Sequence, residues 1–206
     1  MRFEGNFRRV GQLDVTALRD CVARQTEEDW NAEQSRQAKF AVHRQTQTIF
    51  LLFDQDFRHV EPTWSPKGLE FFDALKPLLE TISGNFGYQG WAVRCIVTRL
   101  RAGARIGVHA DSGFSLNHAH RCHLPLVTND QVAFSVGDDT MNMKTGELWE
   151  INNQRRHAVS NQGPEDRVHL ILDWAEPMSH ADIRAYRMDR QEHFRKVRLG
   201  IQPQYD

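Results

Sequence analysis

The sequence predicts a mainly β protein with flanking helices, its strands rolled into a sandwich or barrel. Three observations carry this. From residue 90 onward, short strand-like runs follow one another closely, separated by clusters of Gly, Asn, Asp and Pro. That pattern belongs to all-β architectures rather than to alternating βα units. Before that point, two stretches carry apolar residues at three- and four-residue intervals, as helices packed by one face do. Three of the later runs also sort ionisable side chains onto one parity and apolar ones onto the other.

In chain order, VTALRDCVARQ (15–25) reads as a helix and TQTIFLLF (46–53), apolar and β-branched, as a buried strand. EPTWSPKG (61–68), with two prolines and a glycine, reads as a loop, and LEFFDALKPLLETI (69–82) as a second helix. Then come WAVRCIVTRL, ARIGVHAD, HRCHLPLV, QVAFSV, MNMKTGELWEI, RRHAVS and RVHLILDW, joined by SGFSLN, TND, GDD, NNQ and NQGPED. After Pro177 the pattern returns to helix, with Ser179 and Asp182 placed to cap it. The reading is one domain over 1–206: a mixed part at 1–88, a β core at 89–176 and a C-terminal helix at 177–206.

Composition narrows the function classes. A formal net charge of −1 gives no overall attraction to nucleic acid or to an anionic membrane. The C-terminal stretch is rich in arginine but also holds Asp182, Asp189 and Glu192, so it reads as a solvated face. No apolar run has the length of a membrane span, and MRFEGNFRRVGQLD has no signal-peptide core. Cys21, Cys95 and Cys122 are an odd set without metal-type spacing. A disulfide framework is not expected, and the expected setting is the reducing cytoplasm.

The parity of the runs points inward. In RCHLPLV, Arg121 and His123 share one face, opposite Cys122, Leu124 and Leu126. In RVHLILD, Arg167, His169 and Asp173 oppose Val168, Leu170 and Leu172. In RIGVHAD, Arg105, His109 and Asp111 oppose Ile106 and Val108. Solvated faces would favour Lys, Glu and Thr. Histidine and arginine on three strands fit a barrel lined by a reactive site, with helices covering its outside.

The segment 109-HADSGFSLNHAHRCH-123 holds four of the ten histidines. A histidine and a carboxylate two apart on a strand aim at one point. With a second histidine they make a facial triad that leaves one side of iron(II) open. Three His-x-Asp/Glu pairs occur: His59/Glu61, His109/Asp111 and His180/Asp182. The last falls in the first turn of the expected helix, where residues two apart diverge. Glu61 precedes Pro62 in a proline-rich loop. His109 and Asp111, at a strand end before a small-residue turn, are the expected pair. The third ligand is then one of His118, His120, His123, His157 and His169.

The ordered set His109-x-Asp111, Arg121-x-His123 with Leu-Pro-Leu, Gly146-Glu147-Leu148-Trp149, Asn153, His157-Ala-Val and Arg167-x-His-Leu-Ile-Leu-Asp173-Trp174 resembles the aspartyl/asparaginyl β-hydroxylase family. The resemblance covers about residues 91–176, with a fainter echo at TQTIFLL. It implies an iron(II)- and 2-oxoglutarate-dependent dioxygenase on a double-stranded β-helix, a cupin-like jelly roll. His109, Asp111 and His157 would hold iron. Arg167, at the family's usual offset after His157, would pair with the distal carboxylate of 2-oxoglutarate, for which a guanidinium fork is suited. Arg121 and His123 resemble further cosubstrate contacts, and Thr98 stands in the place of a hydroxyl residue that does likewise.

By the same resemblance, dioxygen and 2-oxoglutarate are consumed, succinate and carbon dioxide released, and an unactivated C–H of an amino-acid-like substrate hydroxylated. That substrate is a free amino acid or an Asp/Asn-type side chain of a peptide or protein. The animal prototype lacks the carboxylate that Asp111 supplies here. The loop from Asp111 to Arg121 is a few residues longer than the prototype's, which leaves substrate identity open. Beside these roles stand plainer ones: a surface ion pair with Asp166 or Glu165 for Arg167, a core-lining place for His169, loop positions for His118 and His120, and a turn and packing contact for Glu147 and Trp149. Two other functions also use such a barrel: a cupin-like metal enzyme without 2-oxoglutarate, and a binding module without catalysis.

Overall fold

The computed structural model describes residues 3–34, 38, 41–53, 62–111 and 114–177, with side chains from 116 in the last stretch. The expected C-terminal helix, the pair His180/Asp182 and the pair His59/Glu61 lie outside these residues. Among the described residues there are eleven strands, and every pairing among them is antiparallel. They are β1 (Phe7–Gln12), β2 (Thr46–Phe53), β3 (Thr63–Trp64), β4 (Trp91–Leu100), β5 (Arg105–His109), β6 (Ala119–Val127), β7 (Val132–Val136), β8 (Asp139–Met141), β9 (Glu147–Ile151), β10 (His157–Asn161) and β11 (Arg167–Ala175). The helices are α1 (Thr16–Ala23), α2 (Glu27–Asn31), α3 (Pro66–Phe86) and the single turn α4 (Phe114–Asn117).

The strands form a seven-stranded sheet, β1-β9-β6-β11-β4-β2-β3, and a four-stranded sheet, β5-β10-β7-β8. This is the jelly-roll arrangement of two facing antiparallel sheets. Alternation gives the large sheet two unlike faces. Its outer face carries Cys95, Val97, Cys122, Leu124, Leu126, Leu170 and Leu172 against Leu18 of α1 and Phe71, Leu75, Leu78 and Ile82 of α3. A second cluster lies between the sheets: Leu100, Ile106, Val132, Phe134, Val136, Met143, Ile151 and Val159. Helices cover the outside and leave the inner face for the polar side chains.

The EPTWSPKG segment departs from the loop expected of it. Trp64 pairs with Leu52, the Ser65 hydroxyl accepts from the Gly68 N–H at 2.9 Å, and Pro66 opens α3 at a position where its missing N–H costs nothing. Ser-Pro was a helix start. The helix lies so close to β2 that a Cβ at Gly68 would stand 2.0 Å from the Leu51 carbonyl oxygen. Pro77 falls inside α3 on its exposed side, so the carbonyl it leaves without an N–H partner faces water. The sequence reading also passed over α2, which Thr26 and Asp29 close with a capping box, and the strands β1 and β8. The turn from β7 to β8 is Gly137-Asp138, with Gly137 at φ 56°, as a two-residue hairpin requires.

Candidate metal centre

The small sheet sets the first pair of imidazoles. His109 ends β5 directly opposite His157, which begins β10, and the ring centroids are 4.2 Å apart. Between this pair and the Ile106–Val159 pair, β5 holds one residue more than β10, a β-bulge. The extra residue resets the alternation. Ile106 and His109 both turn inward, while Arg105 and Val108 are exposed. The expectation that Arg105 shares a face with His109 is therefore corrected.

Asp111 follows the strand, its N–H donating to the Asn153 carbonyl at 2.9 Å. Its carboxylate oxygens lie 3.9 Å from His109 Nε2 and 3.7 Å from His157 Nε2. The ligand atoms of His109, Asp111 and His157 all fall within 4.8 Å of one another, a set that fits a metal ion. The outer nitrogens are fixed as a metal would need: His109 Nδ1 is 2.8 Å from the Gly107 carbonyl oxygen and His157 Nδ1 is 3.0 Å from that of Arg155. A carbonyl only accepts, so both Nδ1 atoms donate, and in the neutral ring each Nε2 keeps its lone pair for the shared point. Burial pulls the His157 imidazole below its ordinary value, against the opposing charge of Asp111, which favours the neutral ligand form.

The inner face of the large sheet is laddered. Strand register places Arg94, Asp173 and Arg121 in one transverse row, and Ile96, Ile171, His123 and Trp149 in the next. Thr48, Thr98, His169 and Pro125 follow, and then Thr46, Leu100 and Arg167. Successive rows stand about 6.6 Å apart along the strands. Arg121, expected to reach a cosubstrate, spends its guanidinium on two carboxylates. Nε and Nη2 donate to both oxygens of Asp173 at 2.8 Å each, and Nη1 donates to Asp111 Oδ2 at 2.5 Å. Burial alone would lower the Arg121 guanidinium, but Asp111 and Asp173 outweigh it and raise it. Arg94 adds a 3.3 Å contact to Asp173.

Arg167 is the contrasting case. It is 1% exposed and, among the described residues, has no carboxylate in ion-pair range. Asp166, its suggested surface partner, is taken by Arg101 at 3.1 Å. Burial pulls the Arg167 guanidinium down to about 9. Its guanidinium reaches His169 instead, Nη2 lying 2.6 Å from Nδ1. Arg167 Nε, His169 Nε2 and both ring nitrogens of His123 are buried without a partner among the described residues. Buried polar atoms are seldom left so, and a cluster of them around a cation fits an anionic ligand. Phe134 of β7 closes the opposite side, 5.0 Å from the His123 ring and 5.7 Å from the Arg167 guanidinium carbon. Thr98 is buried in the adjoining row, its hydroxyl 3.4 Å from the His169 carbonyl oxygen.

These buried rings make stability pH-dependent. Burial first, then the charge of Arg167, holds the His123 and His169 imidazoles well below their ordinary value of 6.5. In the unfolded chain both rings take up protons near pH 6.5, while the folded protein refuses them. Stability is therefore full above that pH and falls as acid is added. The expected slope is up to about 1.4 kcal/mol per pH unit for each ring. Urea unfolding midpoints of the metal-free protein between pH 7.5 and 5.5 measure it, and a flat profile would mean that the rings are not held neutral.

Other candidates go elsewhere. His120 is on the parity opposite His123, as expected, but it is a buried strand residue rather than a loop one. It stacks on Phe86 at 4.1 Å and bridges Glu150 at 2.6 Å and Glu176 at 2.8 Å. His118 stays in the bend before β6. Glu147 does set a turn and a packing contact, accepting from the Lys144 N–H and from Trp149 Nε1. His43 was missed. It is 7% exposed and meets the His109 ring edge-on at 5.2 Å. A lone histidine in AVHRQ gives no local sign that the fold will carry it to the site.

Comparison with known proteins places this geometry. No curated protein matches the chain significantly. Among solved structures, a 2OG-Fe(II) oxygenase family oxidoreductase from Burkholderia pseudomallei is 18% identical at a TM-score of 0.51, over 63% of this chain and 67% of that one. A Pseudomonas putida prolyl-4-hydroxylase is 14% identical at 0.50, over 85% and 95%. A non-heme monooxygenase, ThoJ, in complex with nickel is 15% identical at 0.51, over 84% and 74%. At such identities the likeness is one of fold, and it agrees with the jelly roll described above. The family profile for aspartyl/asparaginyl β-hydroxylase matches residues 22–177, reaching well beyond the segment that carries the sequence resemblance. With three quarters of its length covered, this chain belongs to the aspartyl/asparaginyl β-hydroxylase family of oxygenases.

Proposed function

We propose that the protein is an iron(II)- and 2-oxoglutarate-dependent dioxygenase acting on an amino-acid-like substrate, either a free amino acid or an Asp/Asn-type side chain of a peptide or protein. The observation that carries the proposal is the pairing of two sites on the facing inner sides of the two sheets. One is a His109–Asp111–His157 donor set within 4.8 Å, and the other is a buried, carboxylate-free Arg167 ringed by unpartnered nitrogens.

In this reading His109, Asp111 and His157 hold iron(II) by two neutral imidazoles and one carboxylate. Arg167 takes the distal carboxylate of 2-oxoglutarate, and His123 and Thr98 line the path between. Arg121 acts at one remove. By occupying Asp111 Oδ2 while Asp173 anchors its other edge, it fixes which carboxylate oxygen remains for the metal. When bound, iron(II) and 2-oxoglutarate supply the oxidising chemistry: with dioxygen, the 2-oxo acid becomes succinate and carbon dioxide, and one oxygen atom enters a substrate C–H bond. The chain itself supplies ligation, orientation and shelter from water. No helix among the described residues is long and apolar enough to cross a membrane. Three buried free cysteines support the cytoplasm as the working compartment.

Anaerobic addition of iron(II) and 2-oxoglutarate to the metal-free protein is expected to give a visible metal-to-ligand charge-transfer band. In air, free amino acids and short Asp- or Asn-containing peptides are to be screened for stimulated succinate release, which identifies the substrate class. Absence of both the band and succinate would overturn the proposal in favour of a metal-binding barrel that does not use 2-oxoglutarate.

A further inference from the structure

We propose that His169 is a second binding residue for the cosubstrate, forming with Arg167 a two-donor cradle for the distal carboxylate. The inference rests on the 2-oxoglutarate reading above and extends it to a side chain that parity alone assigns only to the inner face.

The hydrogen-bond chemistry decides the role. A guanidinium has donors and no acceptor, so in the 2.6 Å contact between Arg167 Nη2 and His169 Nδ1 the imidazole nitrogen accepts. The neutral ring then carries its proton on Nε2. Burial keeps the ring neutral, and the neighbouring charge of Arg167 does so further. Arg167 thus fixes the His169 tautomer and turns Nε2 into an N–H donor. That donor is buried and has no acceptor among the described residues, as is Arg167 Nε two positions earlier on the same strand face. Two donors with unmet demand, one on a cation, call for a ligand with two acceptor oxygens and a negative charge, which is a carboxylate.

Position agrees with chemistry. His169 stands in the row between Arg167 and His123, with 5.9 Å between the two imidazole centroids. His123, one row further along the inner face, is buried with both ring nitrogens unpartnered among the described residues and meets the same Phe134 ring as Arg167.

The test uses the full-length protein and two variants. His169→Phe keeps an aromatic ring and removes both nitrogens. His169→Gln keeps one acceptor for Arg167 and one N–H donor to pass on. Nickel(II) affinity, by titration calorimetry, reports the His109–Asp111–His157 set alone, and 2-oxoglutarate affinity is then measured on the nickel-loaded protein. We expect unchanged nickel affinity in both variants. For 2-oxoglutarate we expect at least a 10-fold weaker affinity in His169→Phe and recovery to within about 3-fold in His169→Gln. Wild-type affinity for 2-oxoglutarate in His169→Phe, or joint loss of nickel and 2-oxoglutarate affinity in both variants, would overturn the assignment. A wild-type protein that binds nickel and no 2-oxoglutarate would overturn the cosubstrate reading itself, and this assignment with it.

Discussion

Replacing His109 with alanine is expected to lower iron(II) affinity by more than about 100-fold while leaving the fold intact. The lower bound follows from residues that merely support ligands, whose loss costs 10- to 100-fold; losing a ligand itself removes more. His109 is the cleanest of the three donors to remove because its side chain is 17% exposed, against 5% for His157. Truncation there opens little core, and Ile106, on the other side of the bulge, still holds the strand. Metal titration of the metal-free variant reads the affinity, and far-ultraviolet circular dichroism with thermal melting reads the fold. Wild-type iron affinity in a folded His109→Ala protein would remove the metal centre from the proposal.

Arg167→Met is expected to move two observables in opposite directions. The guanidinium is 1% exposed and is held by an imidazole rather than by a carboxylate. In the metal-free protein it is therefore a buried charge whose desolvation is not repaid. Replacing buried charges by apolar side chains of similar volume is often neutral or stabilising, by about 1–4 kcal/mol. The melting temperature of the metal-free variant should stay level or rise. With 2-oxoglutarate the sign reverses. Removing one member of a buried charge-assisted pair costs about 2–5 kcal/mol, or roughly 30-fold to several thousand-fold in affinity. A structural arginine predicts the reverse on both counts, a lower melting temperature and unchanged 2-oxoglutarate affinity, so one pair of measurements separates the two roles. The loss should fall on 2-oxoglutarate, leaving iron(II) affinity near wild type, since Arg167 contacts none of the three metal donors.

Much of this was legible from residue parity. The runs RCHLPLV and RVHLILD each carry one apolar and one ionisable face, and the protein buries the first under α1 and α3 and turns the second between the sheets. Strand parity is local, fixed by the two-residue repeat of the backbone, so it survives folding unless an extra residue intervenes. One does in β5, and there parity misled: Val108, read as sharing the apolar face of Ile106, is 56% exposed, and Arg105 parts company with His109. Leu124, in a run without such an extra residue, lies in the helix-covered core as its parity implies.

The sequence by itself determined the alternation of faces, the helices that cover one of them, and the identities of the side chains able to hold a metal and an anion. Those depend on a few neighbouring residues and on side-chain chemistry. Tertiary structure alone decided partnership. It brought His43 against His109 across sixty-six positions of chain, tied Arg121 to Asp173 and Asp111, and left Arg167 beside an imidazole instead of an acid. A charge meets its partner through strand register and sheet closure, which are sums over many weak contacts spread along the chain, and no short stretch of residues encodes such a sum.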